Sequence, residues 1–262
     1  MTKDLTQGKI TPLLVKFTIP LLFGNIFQLM YNSVDSIIVG QLVGKEALAA
    51  VGTSNPLMTL AILFVNGMCI GASILMGTQY GAKKMDVLKR QISTTMIAGI
   101  VFSIAVTLFC ILFARPLLLL IRVQEEVLPL AVSYLRIVFL GFIFTFIYNF
   151  FACTLRALGD SKTPLYFLVT SAFLNIFGDL FFVVVLRWGV AGSAIATVCS
   201  EGLCCLLCGI YIKKKIPLLC LGKKWWVFDK SLLGKTVSYG STSAMQQVCL
   251  QLGKLIIQSV VN

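Results

Sequence analysis

Three acidic residues, Asp35, Asp179 and Glu201, sit inside strongly apolar stretches of this chain. Each closes a polar stripe at helical spacing: Gln28, Asn32 and Asp35; Ser171, Asn175 and Asp179; Ser193, Thr197 and Glu201. Residues three or four apart share one helix face. An ionisable group in a membrane span is disfavoured by about 2.5–3.5 kcal/mol on insertion scales and faces an interior cavity. Two carboxylates in a low-dielectric pocket cannot both stay ionised, because desolvation and mutual repulsion favour uptake of a proton. The same oxygens, with the neutral Asn175 and Thr197, also suit Na⁺. The alternative use of such groups is to tie helices together by hydrogen bonds. That account suffices for Asn175 or Thr197 alone, but not for Asp35 and Asp179 at matched depth.

The elements that must position these residues are membrane spans. About 20 apolar residues cross a bilayer core. Six segments qualify, at roughly 14–40, 52–78, 91–114, 128–155, 163–186 and 190–212. A more polar seventh, at 236–260, carries Gln247, Gln251, Lys254 and Gln258. The first is no cleaved signal, since it is long, polar-interrupted and followed by no small-residue cleavage site. Counted at 1.5 Å per residue from the span ends, Asp35, Asp179 and Thr197 lie roughly 7–12 Å below one boundary. They therefore fall in one layer, with Asn175 one turn deeper. Glu201 lies nearer the mid-membrane, as a cavity residue or as a partner for Arg136. Lys254 either pairs with an acid or lines a path. Pro20 and Pro56 leave carbonyls without a donor and permit bending, with packing as the alternative at Pro56.

Composition agrees. The 262 residues are 58% hydrophobic and 12% charged, against about 25% charged in an ordinary soluble domain. This excludes a soluble enzyme, a disordered chain and a disulfide scaffold. With 0 His, Ser–His catalysis and His-ligated metals are excluded. Cys205-Leu-Leu-Cys208 has no second pair to complete a zinc site, and the cysteines read as small fillers.

The net charge of +12 is explained by topology rather than by nucleic acid. With the N-terminus cytoplasmic, sixteen of the 22 basic residues fall in inner segments and four in outer ones, as the positive-inside rule requires. The 213–235 connection holds seven of them beside Trp225 and Trp226. It is either an amphipathic interfacial segment or a solvated basic linker.

Several stretches resemble the multidrug and toxic compound extrusion (MATE) transporters, in particular their DinF-like branch. They are Pro20 to Gly52 (PLLFGNIFQLMYNSVDSIIVGQLVGKEALAAVG), QYGAKK (79–84), LRALGDSKTP (155–164), NIFGD (175–179) and GVAGSAIATVCSE (189–201). The resemblance implies an all-α, polytopic, twelve-helix fold in two six-helix lobes. Residues 1–212 would form the N-terminal lobe, 213–235 a cytoplasmic basic linker, and 236–262 the first helix of an incomplete second lobe. It implies a plasma-membrane antiporter, coupled to H⁺ or Na⁺ and needing no cofactor, that exports organic, cationic compounds. Carried over by motif, the cation site falls on Asp35, Asn175, Asp179 and Thr197. Gln28, Asn32, Glu201, Gln247, Gln251 and Lys254 are candidates to line the cavity. Transport would need the C-terminal lobe, and a truncated, inactive fragment is one expectation.

A flippase of the same superfamily, moving lipid-linked glycans or peptidoglycan precursors, is the competing function. The scarcity of basic residues within spans counts against it. An intramembrane aspartyl protease is weaker still, because NIFGD holds only part of a G-x-G-D motif.

Overall fold

A computed structural model describes residues 9–216 and 226–261, with the side chains of 251, 252 and 254–261 left out. The described residues are helical. Helix α1 (Ile10–Ile38) continues as a π-helical turn, Val39–Val43. It is followed by α2 (Lys45–Gly81), α3 (Met85–Leu120), α4 (Leu128–Leu140) and α5 (Phe142–Ala157). Helix α6 (Lys162–Asp179) also ends in a π-helical turn, Leu180–Val185, before α7 (Gly189–Lys215) and α8 (Lys230–Val261).

Five segments are individually long and apolar enough to cross a membrane: α1 and α6 with their π turns, α2, α3 and α7. Counted as one broken span, the bent pair α4–α5 makes a sixth. Sequence periodicity predicts one unbroken helix over 128–155, whereas the chain bends by 47° between α4 and α5. The bend falls at Gly141, where a Cβ would meet Val198 Cγ2 of α7 at 2.6 Å. The small residue thus lets α7 approach the bend. Helix α8, at 32 residues, is long enough to span but more polar.

In a bilayer, helices are drawn together by packing and polar contacts rather than by exclusion of water. The centre of the lobe accordingly combines aromatic and small residues. Phe139, Phe142, Phe146 and Phe150 of α4–α5 pack with Cys69, Ala72, Met76, Ala114 and Leu118. Outward faces carry Leu60, Phe64, Leu108, Leu112 and Leu206, suited to lipid. Helix α1 lies at the margin, packed on α6, and among the described residues Pro20 is its one fully buried side chain.

Among the described residues α2 and α8 form the most extensive contact between helices. Gly67 and Gly71 form a small-xxx-small pair that faces Gly240 and Ala244 of α8. A Cβ on Gly67 would lie 2.7 Å from Ala244 Cβ, and one on Gly71 would collide with the Gly240 backbone. Beside this seam, Gln91 Nε2 donates to Thr236 Oγ1 at 2.6 Å. The expected 213–235 connection is shorter than predicted, because α7 runs to Lys215 and α8 starts at Lys230. Its described end docks on α3: Val227 N donates to Ser93 Oγ at 2.9 Å and Asp229 N to Thr94 Oγ1 at 3.1 Å. Asp229 then caps α8 by accepting from Ser231 N and Leu232 N. Trp226 is exposed, whereas Trp225 lies outside the described residues.

Candidate functional site

The residues predicted to share a layer come from α1, α6 and α7, and they meet. Asp35, in the last turn of α1, accepts a hydrogen bond from Ser193 Oγ of α7 at 3.3 Å. Its carboxyl stands close to that of Asp179. Asp179 and Asn175 are fully buried on α6. Thr197 stands one turn along α7 from Ser193 and holds that helix's carbonyl, donating to Ser193 O at 3.1 Å.

Asn175 links Asp179 to Thr197, and its carboxamide has two settings of opposite meaning. In one, Nδ2 donates to Thr197 Oγ1 at 3.1 Å while Oδ1 faces Asp179 Oδ2. Two acceptors then oppose each other unless Asp179 carries a proton, and Nδ2 also faces the Thr197 backbone N–H at 3.3 Å, so the second setting satisfies more of the site. In the other, Nδ2 donates to Asp179 Oδ2 at 3.1 Å, and Oδ1 accepts from Thr197 N at 3.3 Å, or from Thr197 Oγ1 at 3.1 Å when that hydroxyl turns away from Ser193 O. This setting suits an ionised Asp179, because a carboxylate only accepts. The second carboxyl oxygen, Asp179 Oδ1, is buried without a hydrogen-bond partner among the described residues. That leaves a free lone pair for a proton or a cation.

Both acids stand at breaks in helical geometry. The π turn Val39–Val43 begins four residues after Asp35, and the π turn Leu180–Val185 begins directly after Asp179. Each closes with a five-residue step, Gly44 N to Val39 O at 3.3 Å and Leu186 N to Phe181 O at 3.0 Å. Widened turns of this kind recur at functional sites, and the two contact one another here. The chemistry open to such a site is uptake and release of a proton, or coordination of a monovalent cation by two carboxylates, an amide and a hydroxyl.

The remaining candidates divide. Gln28 lines a cavity with Pro20, Asn25, Tyr148, Asn149 and Arg156. Asn32 is exposed on α1 and joins no described hydrogen bond of the acid layer. Glu201 does not pair with Arg136: it accepts from Thr145 Oγ1 at 2.5 Å, and Arg136 Nε donates to Ile111 O at 3.2 Å. Gln247 is half-buried on α8, away from the acid layer. The side chains of Gln251 and Lys254 lie outside the described residues.

Sequence reasoning passed over three members of the site. Ser193 had a signal, since it stands four residues before Thr197 in the same stripe. Tyr31 did as well, four residues before Asp35. Tyr134, buried on α4, had none. It reaches the acids only because α4 packs on α7. Both tyrosines lie close enough to sense the charges of Asp35, Asp179 and Glu201.

Comparison with known proteins places this geometry. The family model described as MatE matches residues 20–181. The probable multidrug resistance proteins YpnP and YoeA of Bacillus subtilis (strain 168) are each 32% identical to the chain. The alignments cover 99% and 94% of this chain, and 58% and 55% of those proteins. A solved structure of a multidrug resistance MATE family transporter of the MOP superfamily, in an outward-facing conformation, matches the fold with a TM-score of 0.89. It is 24% identical and is matched over 99% of this chain and 58% of its own. The chain thus spans little more than half the length of these relatives. With six apolar spans in that fold and the family model covering more than half its residues, this multi-pass membrane protein belongs to the MatE family of transporters.

Proposed function

We propose that the chain supplies the N-terminal lobe of a cation-coupled antiporter, driven by H⁺ or Na⁺, that exports organic, cationic compounds by alternating access. A second lobe like that of the longer relatives completes the path. The N-terminus is cytoplasmic, as the placement of the basic residues supports. The observation that carries the reading is the Asp35–Asp179 pair, with Asp179 fully buried and Asp35 half-buried, joined through Asn175 to Thr197 and through Asp35 to Ser193. No lysine or arginine is hydrogen-bonded to either acid among the described residues. Buried acids without a counter-charge inside a membrane are costly unless they carry an ion.

Coupling follows from differential affinity. A cation shifts a two-state lobe only as far as it binds one state better than the other. A proton on Asp179 sets the Asn175 amide toward Thr197, and its loss turns the amide to the carboxylate. The hydrogen bonds between α6 and α7 therefore change partners as the site titrates. The π turns next to both acids provide backbone that can rewind with that exchange. Na⁺ would use the same Asp35, Asp179, Asn175 and Thr197 oxygens.

The test is drug efflux into everted vesicles under an imposed pH or Na⁺ gradient, with the chain in its complete transporter. Asp35→Asn and Asp179→Asn are expected to abolish the gradient dependence. Undiminished gradient-driven efflux in both variants would remove the assigned role. Which gradient drives wild-type efflux identifies the ion.

A further inference from the structure

Glu201 is a carboxyl group that the coupling site leaves unused. It stands on α7 one turn beyond Thr197. Its contact with Thr145 Oγ1, at 2.5 Å, has the length of a hydrogen bond to a charged or proton-sharing oxygen. Thr145 leads onward: its carbonyl accepts from Asn149 Nδ2 at 2.8 Å. Asn149 lines the cavity of about 230 Å³ that also holds Asn25, Gln28 and Arg156. A polar space of this size admits several waters. Its lining by Arg156, Ser161 and Pro164 places it toward the end of the bundle that carries the α5–α6 turn.

In the opposite direction, Tyr31 of α1 and Tyr134 of α4 lie within electrostatic range of Glu201, Asp35 and Asp179 together. Cys204 and Cys205, on its own helix, are the other titratable groups near Glu201. No lysine or arginine pairs with it among the described residues. Arg136 is committed to Ile111 O, and Arg156 Nε donates to Ala152 O at 3.1 Å. Asn149 of the cavity wall thus bonds the Thr145 carbonyl, the Thr145 hydroxyl bonds Glu201, and Glu201 stands one turn along α7 from Thr197, which Asn175 joins beside Asp179.

We propose that Glu201 is the proton-transfer residue between this cavity and the Asp35–Asp179 pair. A proton from cavity water binds the Glu201 carboxylate and is relayed by water past Thr197 to Asp179, since about two helical turns of α7 separate Glu201 from the level of the pair. Glu201 is left ionised for the next proton, and release runs the same steps backward. One proton moves and only O–H bonds form and break. The proposal rests on the coupling role given above to Asp35 and Asp179. A purely structural Glu201 would serve only to hold Thr145, which glutamine does equally well through its carbonyl oxygen.

The experiment is a pH jump on the purified chain in nanodiscs, with carboxyl protonation followed by time-resolved infrared absorption. Bands lost in Asp35→Asn and Asp179→Asn report the pair. If wild-type protein shows no such bands, the pair takes up no proton, so H⁺ coupling fails and the Glu201 proposal falls with it, while Na⁺ coupling at the pair is left standing. Given the bands, Glu201→Gln is expected to slow protonation of the pair by about 10- to 100-fold while leaving its final extent unchanged. Glu201→Asp is expected to restore part of the rate. An unchanged rate in Glu201→Gln overturns the proposal, and so does a changed final extent. Where Glu201→Gln does not fold, Asn149→Leu interrupts the same column closer to the cavity. There, too, a wild-type rate overturns the proposal.

Discussion

Replacing Gly71 with alanine tests the packing of the last helix. A Cβ at this position would stand 2.6 Å from Gly240 Cα and 2.9 Å from Thr236 O. Ordinary carbon contacts lie at about 3.5–4.0 Å. Both obstacles are backbone, so no side chain can swing aside, and α8 must retreat by about 1 Å. That retreat stretches the 2.6 Å Gln91–Thr236 hydrogen bond to the edge of useful geometry. Overpacking of this kind costs about 1–3 kcal/mol, and an interhelical hydrogen bond in a membrane protein contributes about 0.6 kcal/mol. Alanine regains about 0.5–1 kcal/mol of helix propensity. The net cost of roughly 1–3 kcal/mol corresponds to about 5- to 150-fold more frequent opening of α8. Amide hydrogen exchange across residues 236–247 reads that opening directly. Gly52 is the internal control: it lies on the same helix, and a Cβ there meets nothing within 4 Å. Gly52→Ala is expected to leave exchange unchanged or slightly slower. Equal exchange in Gly71→Ala and wild-type protein would refute the close-approach argument.

Other expectations follow from the same structure. Asp179→Asn keeps the shape of the side chain, so thermal stability should fall by no more than about 1.7 kcal/mol, the upper range for polar contacts between membrane helices. Efflux in the complete transporter should lose its gradient dependence, whereas a one-for-one exchanger responds about tenfold per pH unit in proton-driven form. Asn175→Leu removes the link between Asp179 and Thr197, and should abolish coupling while Asn175→Gln retains part of it, as measured by the same efflux assay. Gln91→Met removes an Oε1 that is buried without a partner but also the Nε2 that bonds Thr236 and Thr95, and should cost no more than about 1 kcal/mol in thermal unfolding. Thr236→Val keeps Gln91 and removes its donor's acceptor, and should cost about 1 kcal/mol. Gly141→Leu pushes against Val198 of α7 and should destabilise by about 1–3 kcal/mol, read as a lower melting temperature.

What the sequence determined by itself was local and periodic. Long apolar runs located the spans, and three- and four-residue spacing put Asp35, Asp179 and Thr197 on definite faces at matched depth, with Asn175 one turn deeper. These features depend on transfer energy and on the pitch of one helix, both legible in a single strand. What only the tertiary structure decided was which faces oppose each other. Glu201 pairs with Thr145 and not with Arg136, because α5 packs on α7 and Arg136 turns to the Ile111 carbonyl. Tyr134 joins the acid layer through the same crossing of helices, and no spacing announces it. The bend at Gly141 and the Gly67–Gly71 seam with α8 are likewise properties of pairs. A missing side chain acquires meaning only when another backbone comes close enough to need the space.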